Sequence, residues 1–219
     1  MTLQEAIRAR HSVRAYTDQP IDADTRLHLA KMCFDLNRES GLRIQPIFDE
    51  PKAFSGPIAR YGRFSGVNNY FAAVGPKDAP EAVGRCGEML VLFAQQLGLN
   101  TCWVGLTLGK TSDAYEVSEG EKLHALIAVG YGVTQGASRR SKSVGDVSRA
   151  PEDAPKWFRA GVEAALLAPT AMNQQKFTFS LNGNRVAAKA GFGPFAKLDL
   201  GIVKCHFQIG AGEENFEWA

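Results

Sequence analysis

The sequence has no apolar run long enough to span a bilayer, and its first residues, MTLQEAIRARHSVR, are polar where a secretory leader would carry an apolar core. A membrane-embedded or exported protein is therefore not expected, and a cytoplasmic one is. Cysteine is scarce. Cys33, Cys86, Cys102 and Cys205 stand far apart without a CxxC pair, which leaves a zinc site or a dithiol redox centre unsupported and makes buried free thiols the expectation. The four histidines, His11, His28, His124 and His206, show no metal-ligand spacing, and there is no nucleophile elbow, so hydrolysis is not indicated. A dinucleotide fingerprint is missing as well: Gly191-Phe192-Gly193 lacks the third glycine and the strand-to-helix setting, and reads as a turn. With 25 basic residues against 23 acidic, the net charge of +2 gives no chain-wide reason to expect nucleic acid or an anionic membrane as partner.

What is present is an apolar share of 45% over 219 residues, enough for one compact domain or two small halves around shared cores. Thr2 and Glu5 have the form of a capping box and open a short helix that ends near Arg10. HSVRAYTDQPI is then extended, and Asp22 or Asp24 caps a second helix whose inward face is read as Leu27, Ala30 and Phe34. Residues 40–66 read as irregular or as short strands. Tyr70 to Val74 reads as a buried strand, and Glu81 to Gly98 as a central helix with Cys86, Leu90, Phe93 and Leu97 at helical spacing. Thr101 to Leu106 and His124 to Tyr131 are strand-like. Asp153 and Pro155 open a further helix that Pro169 stops, Phe177 to Leu181 and Arg185 to Ala188 form a strand pair around Asn182-Gly183, and Leu198 to Gly210 is helical. The pattern is mixed α+β.

One stretch is repeated. Laying KSVGDVSRAPEDA, residues 142–154, against HSVRAYTDQPIDA, residues 11–23, matches Ser143 with Ser12, Val144 with Val13, Pro151 with Pro20, Asp153 with Asp22 and Ala154 with Ala23 at one constant offset. A helix follows each copy in register, which favours a degenerate duplication over a coincidence of turn residues. The copies then differ. The first keeps Arg10, Ser12 and Arg14, where the second has Gly145 in place of Arg14; the second ends its helix in Ala168-Pro169-Thr170-Ala171-Met172-Asn173-Gln174-Gln175, which the first lacks. Each half keeps what the other has lost.

Both segments have the chemistry of a binding site. Arg10, Ser12 and Arg14, alternating on an extended chain, can point to one side and offer charge-assisted hydrogen bonds to a phosphate, although by themselves they read sooner as a solvated basic patch. After the helix stop at Pro169, the hydroxyl of Thr170 and the amide of Asn173 suit the polar edge of a planar heterocycle, or else an ordinary polar turn.

At these residues the sequence resembles the FMN-dependent nitroreductase family, whose motifs are an N-terminal R-x-S-x-R and an A-P-S-A-x-N-x-Q after the following helix. Here Arg10-His11-Ser12-Val13-Arg14 and Ala168 to Gln175 lie at opposite ends of the chain, which resembles a single-chain subgroup in which two half-subunits are fused as a pseudo-dimer. The resemblance implies an α+β fold with a central, mostly antiparallel sheet flanked by helices, made of repeat one, about 1–136, and repeat two, about 137–219. It implies one FMN per chain and NAD(P)H as a transient donor, with a small oxidised acceptor such as a nitroaromatic or a quinone reduced by ping-pong hydride transfer, in a monomer. It assigns cofactor contacts to Arg10, Ser12, Arg14, Pro169, Thr170, Asn173 and Gln175, to the backbone of Val104 and Gly105, and to Arg140 and Lys142 in the basic run that includes Arg139. No catalytic side chain and no metal ligand are implied. Lys176 and Phe177 stand where the family usually has Pro and Trp, so the substrate side of the ring is expected to differ. Reduction of an activated alkene or removal of halide fits the same flavin, and a flavin-binding or flavin-sequestering protein without turnover is the alternative from another class.

Overall fold

The computed structural model describes residues 1–56, 62–105, 113–151 and 153–219. Helix α1 (Leu3–Ala9) starts in the anticipated capping box: Thr2 Oγ1 accepts the Glu5 N–H at 3.2 Å and Glu5 Oε2 accepts the Thr2 N–H at 2.8 Å. Helix α2 (Ala23–Ser40) is capped by Asp22, whose carboxylate accepts the Thr25 N–H, and stops at Gly41, whose φ of 71° suits the left-handed turn after a helix. Its inward face differs from the expected one. Leu27 and Phe34 are exposed, and Leu29 and Cys33 are buried with Met32 and Leu36 packed beside them. Two sets of apolar residues recur at helical spacing on α2, and the sequence period alone does not say which one meets the sheet.

The first half continues with β1 (Arg43–Ile47), β2 (Tyr70–Pro76), α3 (Pro80–Gln96), β3 (Asn100–Val104) and β4 (Glu121–Gly130), forming an antiparallel sheet in the order β1-β2-β4-β3. Within the stretch expected to be irregular lie β1 and a short 3-10 turn at Lys52–Phe54. Of the expected strand Thr101 to Leu106, Leu106 lies outside the described residues. Strand β2 is buried on both faces. Phe71 and Ala73 point into a core with α2 and α3, while Tyr70, Ala72 and Val74 point into a second one with Val13, Tyr16, Phe54 and Tyr115. That two-sided burial is why the strand reads as an unbroken apolar run.

The second half comprises α4 (Val144–Val147), β5 (Ser148–Arg149), α5 (Lys156–Leu167), β6 (Phe177–Asn182), β7 (Arg185–Ala190), α6 (Ala196–Ala211) and β8 (Glu217–Trp218), with sheet order β5-β6-β7-β8. The β6–β7 hairpin is antiparallel and turns at Gly183, where φ is 63°, and the short outer strands add parallel pairs. Helix α5 begins one turn later than Asp153, with Pro155 as its cap. The core here is aromatic: Phe158, Phe179, Phe207 and Phe216 meet around a stacked Phe179–Phe207 pair with centroids 4.6 Å apart. The fold is thus α+β with mostly antiparallel pairing, its strands shared between two sheets.

Helices α3 and α6 join the halves. A Cβ at Gly84 would lie 2.1 Å from the Leu198 carbonyl oxygen and 3.1 Å from the Ile202 nitrogen; a Cβ at Gly201 would lie 1.9 Å from the Glu81 oxygen and 2.8 Å from the Arg85 nitrogen. Each glycine faces the carbonyl three residues before, and the amide one residue after, the other glycine. The two helices therefore approach each other closely and symmetrically at these glycines. All four cysteines are free and buried, and burial pushes the Cys33 thiol up to about 12. Among the described residues no helix is long and apolar enough to cross a membrane.

Candidate functional site

The first segment is held by strand-like pairing. Ser12 bridges Thr101 of the edge strand β3 in parallel, with the Val13 N–H donated to the Thr101 oxygen at 3.0 Å, and Thr17 donates to Tyr131 at 2.8 Å. Val13 enters the core and Arg14 is exposed. Arg10, Ser12 and Arg14 gather around Cys102: burial raises its thiol pKa, and Arg14, the Ser12 hydroxyl and Arg10 each oppose that rise. The three alternating residues therefore share one neighbourhood, as their spacing implied.

Arg10 is only 3% exposed and sits beside a buried carboxylate that sequence reading did not single out. Glu88, fully buried on α3, takes the Trp103 indole N–H on Oε2 at 2.8 Å and faces His206 Nε2 through Oε1 at 2.7 Å. Arg10 Nε stays 3.8 Å from the same Oε1, and it is a buried donor without a hydrogen-bond partner among the described residues. Glu88 had no signal in the sequence, because it lies on the apolar face of an otherwise ordinary helix.

The second segment brings a second guanidinium to the same place. Arg139 donates through Nε to Asn173 Oδ1 at 2.6 Å, and its NH2 group reaches the Leu166 oxygen at 3.3 Å and also the Ala168 oxygen. Arg10 reaches the intervening carbonyl, Leu167, at 3.4 Å. Two arginines from distant parts of the chain thus rest on three consecutive carbonyls at the C-terminal end of α5, where the helix dipole favours cations. They are close enough that burial first, and the Arg10 charge second, bring Arg139 down to about 10. The same two charges, after burial, hold the His11 imidazole below its usual range.

The amides of this segment are spent internally. Asn173 Nδ2 donates to the Arg140 oxygen at 2.8 Å. Gln175, 2% exposed, accepts the Lys142 N–H and donates to Ser141 Oγ and the Leu166 oxygen, while Lys142 Nζ donates to the Gln175 carbonyl at 2.8 Å. Thr170 Oγ1 accepts the Gln175 N–H at 3.1 Å, and Pro169 is buried. The Arg140 side chain is exposed, and only its carbonyl joins the network. Of the basic run, Arg139 is the residue whose charge meets Arg10. The sequence offered three cations there without a way to choose, since facing is set by the turn that Asn173 and Gln175 fasten.

That turn is strained. Met172, Asn173 and Gln175 have φ of 51°, 52° and 44°, a region costly for residues other than glycine and tolerated best by Asn. Asp199 on α6 secures it by accepting the Ala171 N–H at 3.0 Å and the Gln174 amide at 2.7 Å; burial raises the Asp199 carboxyl, and Gln174 and the Ala171 N–H partly offset the rise. Phe195, also at positive φ (59°), lays its ring against Gly105, so that a Cβ there would meet three ring atoms at 3.0 to 3.2 Å. Val104 is buried in the core, leaving its backbone for any contact. Phe177 is buried among the second-half aromatics, and Lys176 packs along Gly191 and Gly193.

Fold and side-chain geometry together define an α+β protein in which the guanidiniums of Arg10 and Arg139 meet at the end of α5. The chain matches, over residues 2–211, the model of a family described as "Putative TM nitroreductase", and it belongs to that family. A solved structure from Thermotoga maritima, described as a putative nitroreductase, is similar over 98% of this chain and 85% of that one, with a TM-score of 0.70 and 22% identity. A Desulfovibrio desulfuricans protein, described as a putative nitroreductase in complex with FMN, covers 67% of this chain and 95% of its own (TM-score 0.53, 20% identity). A Parabacteroides distasonis protein, described as a putative NADH dehydrogenase/NAD(P)H nitroreductase, covers 66% and 95% (TM-score 0.54, 16% identity). At these identities the likeness is one of fold. No curated protein matches the chain.

Proposed function

We propose that this protein is an FMN-dependent oxidoreductase that reduces a small oxidised acceptor, such as a nitroaromatic or a quinone, with NAD(P)H as transient donor. The observation that carries the reading is the pair of partly compensated guanidiniums, Arg10 and Arg139, on the end of α5, with the orphaned Arg10 Nε between them and Glu88. The donor set fits a phosphate monoester, which bears close to two negative charges and accepts several charge-assisted hydrogen bonds. Arg10 and Arg139 would hold that group, with Ser12 and Arg14 beside them. Thr170, Pro169 and the backbone at Val104 and Gly105 would meet the ring, while Asn173, Gln175 and Lys142 keep the turn and Arg139 in place. When bound, FMN supplies two-electron chemistry at its ring. The protein contributes orientation, exclusion of water and positive charge, and no side chain need act as acid or base.

The reciprocal glycines of α3 and α6 support reading the chain as two fused half-subunits that work as a monomer with a single site. The test is an anaerobic absorbance titration with FMN and then with NADPH or NADH. One equivalent of bound flavin, bleached by either nucleotide, is the expected result; no bound flavin contradicts the reading. The Phe195 ring against Gly105 favours a second reading, flavin binding without turnover, and in that case flavin binds but neither nucleotide bleaches it.

A further inference from the structure

The buried group formed by Glu88, His206, Trp103 and Arg10 is not explained by binding alone. His206 is completely buried on α6, with Nε2 facing Glu88 Oε1 at 2.7 Å and Nδ1 facing the Ala164 carbonyl oxygen at 3.1 Å. A carbonyl oxygen and a carboxylate are both acceptors, so satisfying them takes one ring N–H on the Ala164 side and one proton shared between Nε2 and Oε1. Counted from those hydrogen bonds, one proton would serve the two groups together, and the pair as a whole would be neutral. Trp103 Nε1 completes the carboxylate on its other oxygen. Arg10 lies at ion-pair distance from that carboxylate, 3.8 Å, but its Nε makes no hydrogen bond to it, so its charge is compensated only in part. Arg139 has no carboxylate in hydrogen-bond contact among the described residues, only carbonyls and Asn173.

We propose that His206 is a positioning residue that withholds Glu88 from Arg10, so that Arg10 and Arg139 present two positive charges and select a dianionic phosphate monoester over an uncharged analogue. The inference rests on the flavin reading for the identity of that ester, but the charge balance is a property of the chain. The substitution Glu88→Gln tests the balance sharply. The amide it introduces can accept the Trp103 N–H with its oxygen and donate to an unprotonated His206 Nε2, while Nδ1–H serves Ala164, so every partner is kept and the pair stays neutral. His206→Gln does the opposite, removing the group that shares the proton and leaving the Glu88 charge to close on Arg10.

The experiment measures dissociation constants of wild type, E88Q, H206Q and the E88Q/H206Q double variant for FMN, riboflavin and inorganic phosphate by calorimetric and fluorescence titration. H206Q is expected to weaken FMN and phosphate by about 10- to 100-fold, the range of a charged hydrogen bond, with riboflavin nearly unchanged. E88Q and the double variant are expected to stay within about threefold of wild type for all three ligands, less than half the factor of ten that 1.4 kcal/mol represents. Equal losses for FMN and riboflavin in H206Q, or a double variant as weak as H206Q, overturn the inference. Should H206Q fail to fold, E88Q decides alone: retained phosphate affinity supports the balance, and its loss overturns it. Wild type binding phosphate but not FMN sinks the flavin reading and leaves the charge balance to be read with phosphate; wild type binding neither overturns both.

Discussion

The two segments that build the site are constructed in opposite ways. Around Arg10 to Arg14 the backbone is relaxed and paired to β3 while the buried Arg10 Nε is left without a hydrogen bond. Around Ala168 to Gln175 the backbone holds three residues at positive φ while the side-chain amides are bonded to neighbours. In the proposed reading the first segment would supply donors to a ligand, and the second a frame whose main product is the placement of Arg139. A motif rich in amides is therefore not by itself a row of ligand contacts, since hydrogen-bonding capacity can be consumed in holding a strained turn.

The largest expected effect breaks the comparison by separating the halves that present the two segments. Gly84→Ala and Gly201→Ala each drive a Cβ into a backbone carbonyl, and each should cost about 3 kcal/mol, the upper part of the range for overpacking. Thermal melts should show similar losses for the two; one variant unaffected would contradict the reciprocal packing. Next, Arg10→Ala should weaken FMN by about 100-fold, near the limit for a charged hydrogen bond, with little change in riboflavin binding. Gln175→Ala sharpens the contrast. It should lower stability by about 2 kcal/mol through the orphaned Lys142 N–H and the lost bond to the Leu166 oxygen, while leaving the ratio of FMN to riboflavin affinity near that of wild type. Urea unfolding together with both flavin titrations would expose the opposite pattern.

The smallest effect concerns pH. Burial raises the Asp199 carboxyl in the folded protein above its unfolded value. Its proton linkage therefore favours folding fully below the unfolded value, about 3.9, and that contribution fades as pH rises through the raised folded value. Asp199→Asn lacks this linkage, so the stability of wild type relative to the variant should grow as the pH is lowered from 7 to 4. Urea melts at the two pH values check the sign, and a difference that shrinks on acidification would contradict the assignment.

The capping box at Thr2, the β6–β7 turn at Gly183 and the helix stop at Pro169 were legible because each depends on a few adjacent residues. The inward face of α2 was not, because Leu27 and Phe34 match helical spacing as well as Leu29 and Cys33 do, and only the packing against the sheet decides. In the site, the nearness of Arg10, Ser12 and Arg14 followed from alternation on an extended chain. Glu88, His206 and Asp199 were invisible for a common reason: each is a polar residue buried among apolar neighbours of its helix, and its partner lies far away in sequence. The choice of Arg139 within the basic run was likewise a tertiary decision, made by Asn173 and the carbonyls ending α5.

The central claim is that both segments serve one dianionic phosphate ester per chain. Its most direct test is a flavin titration of the purified protein, with sedimentation to fix the number of chains. The account predicts one FMN per monomeric chain and riboflavin bound at least about tenfold more weakly, since the lost phosphate contacts are charge-assisted. Equal affinity for the two flavins, two flavins per chain, or binding only by a dimer would contradict it.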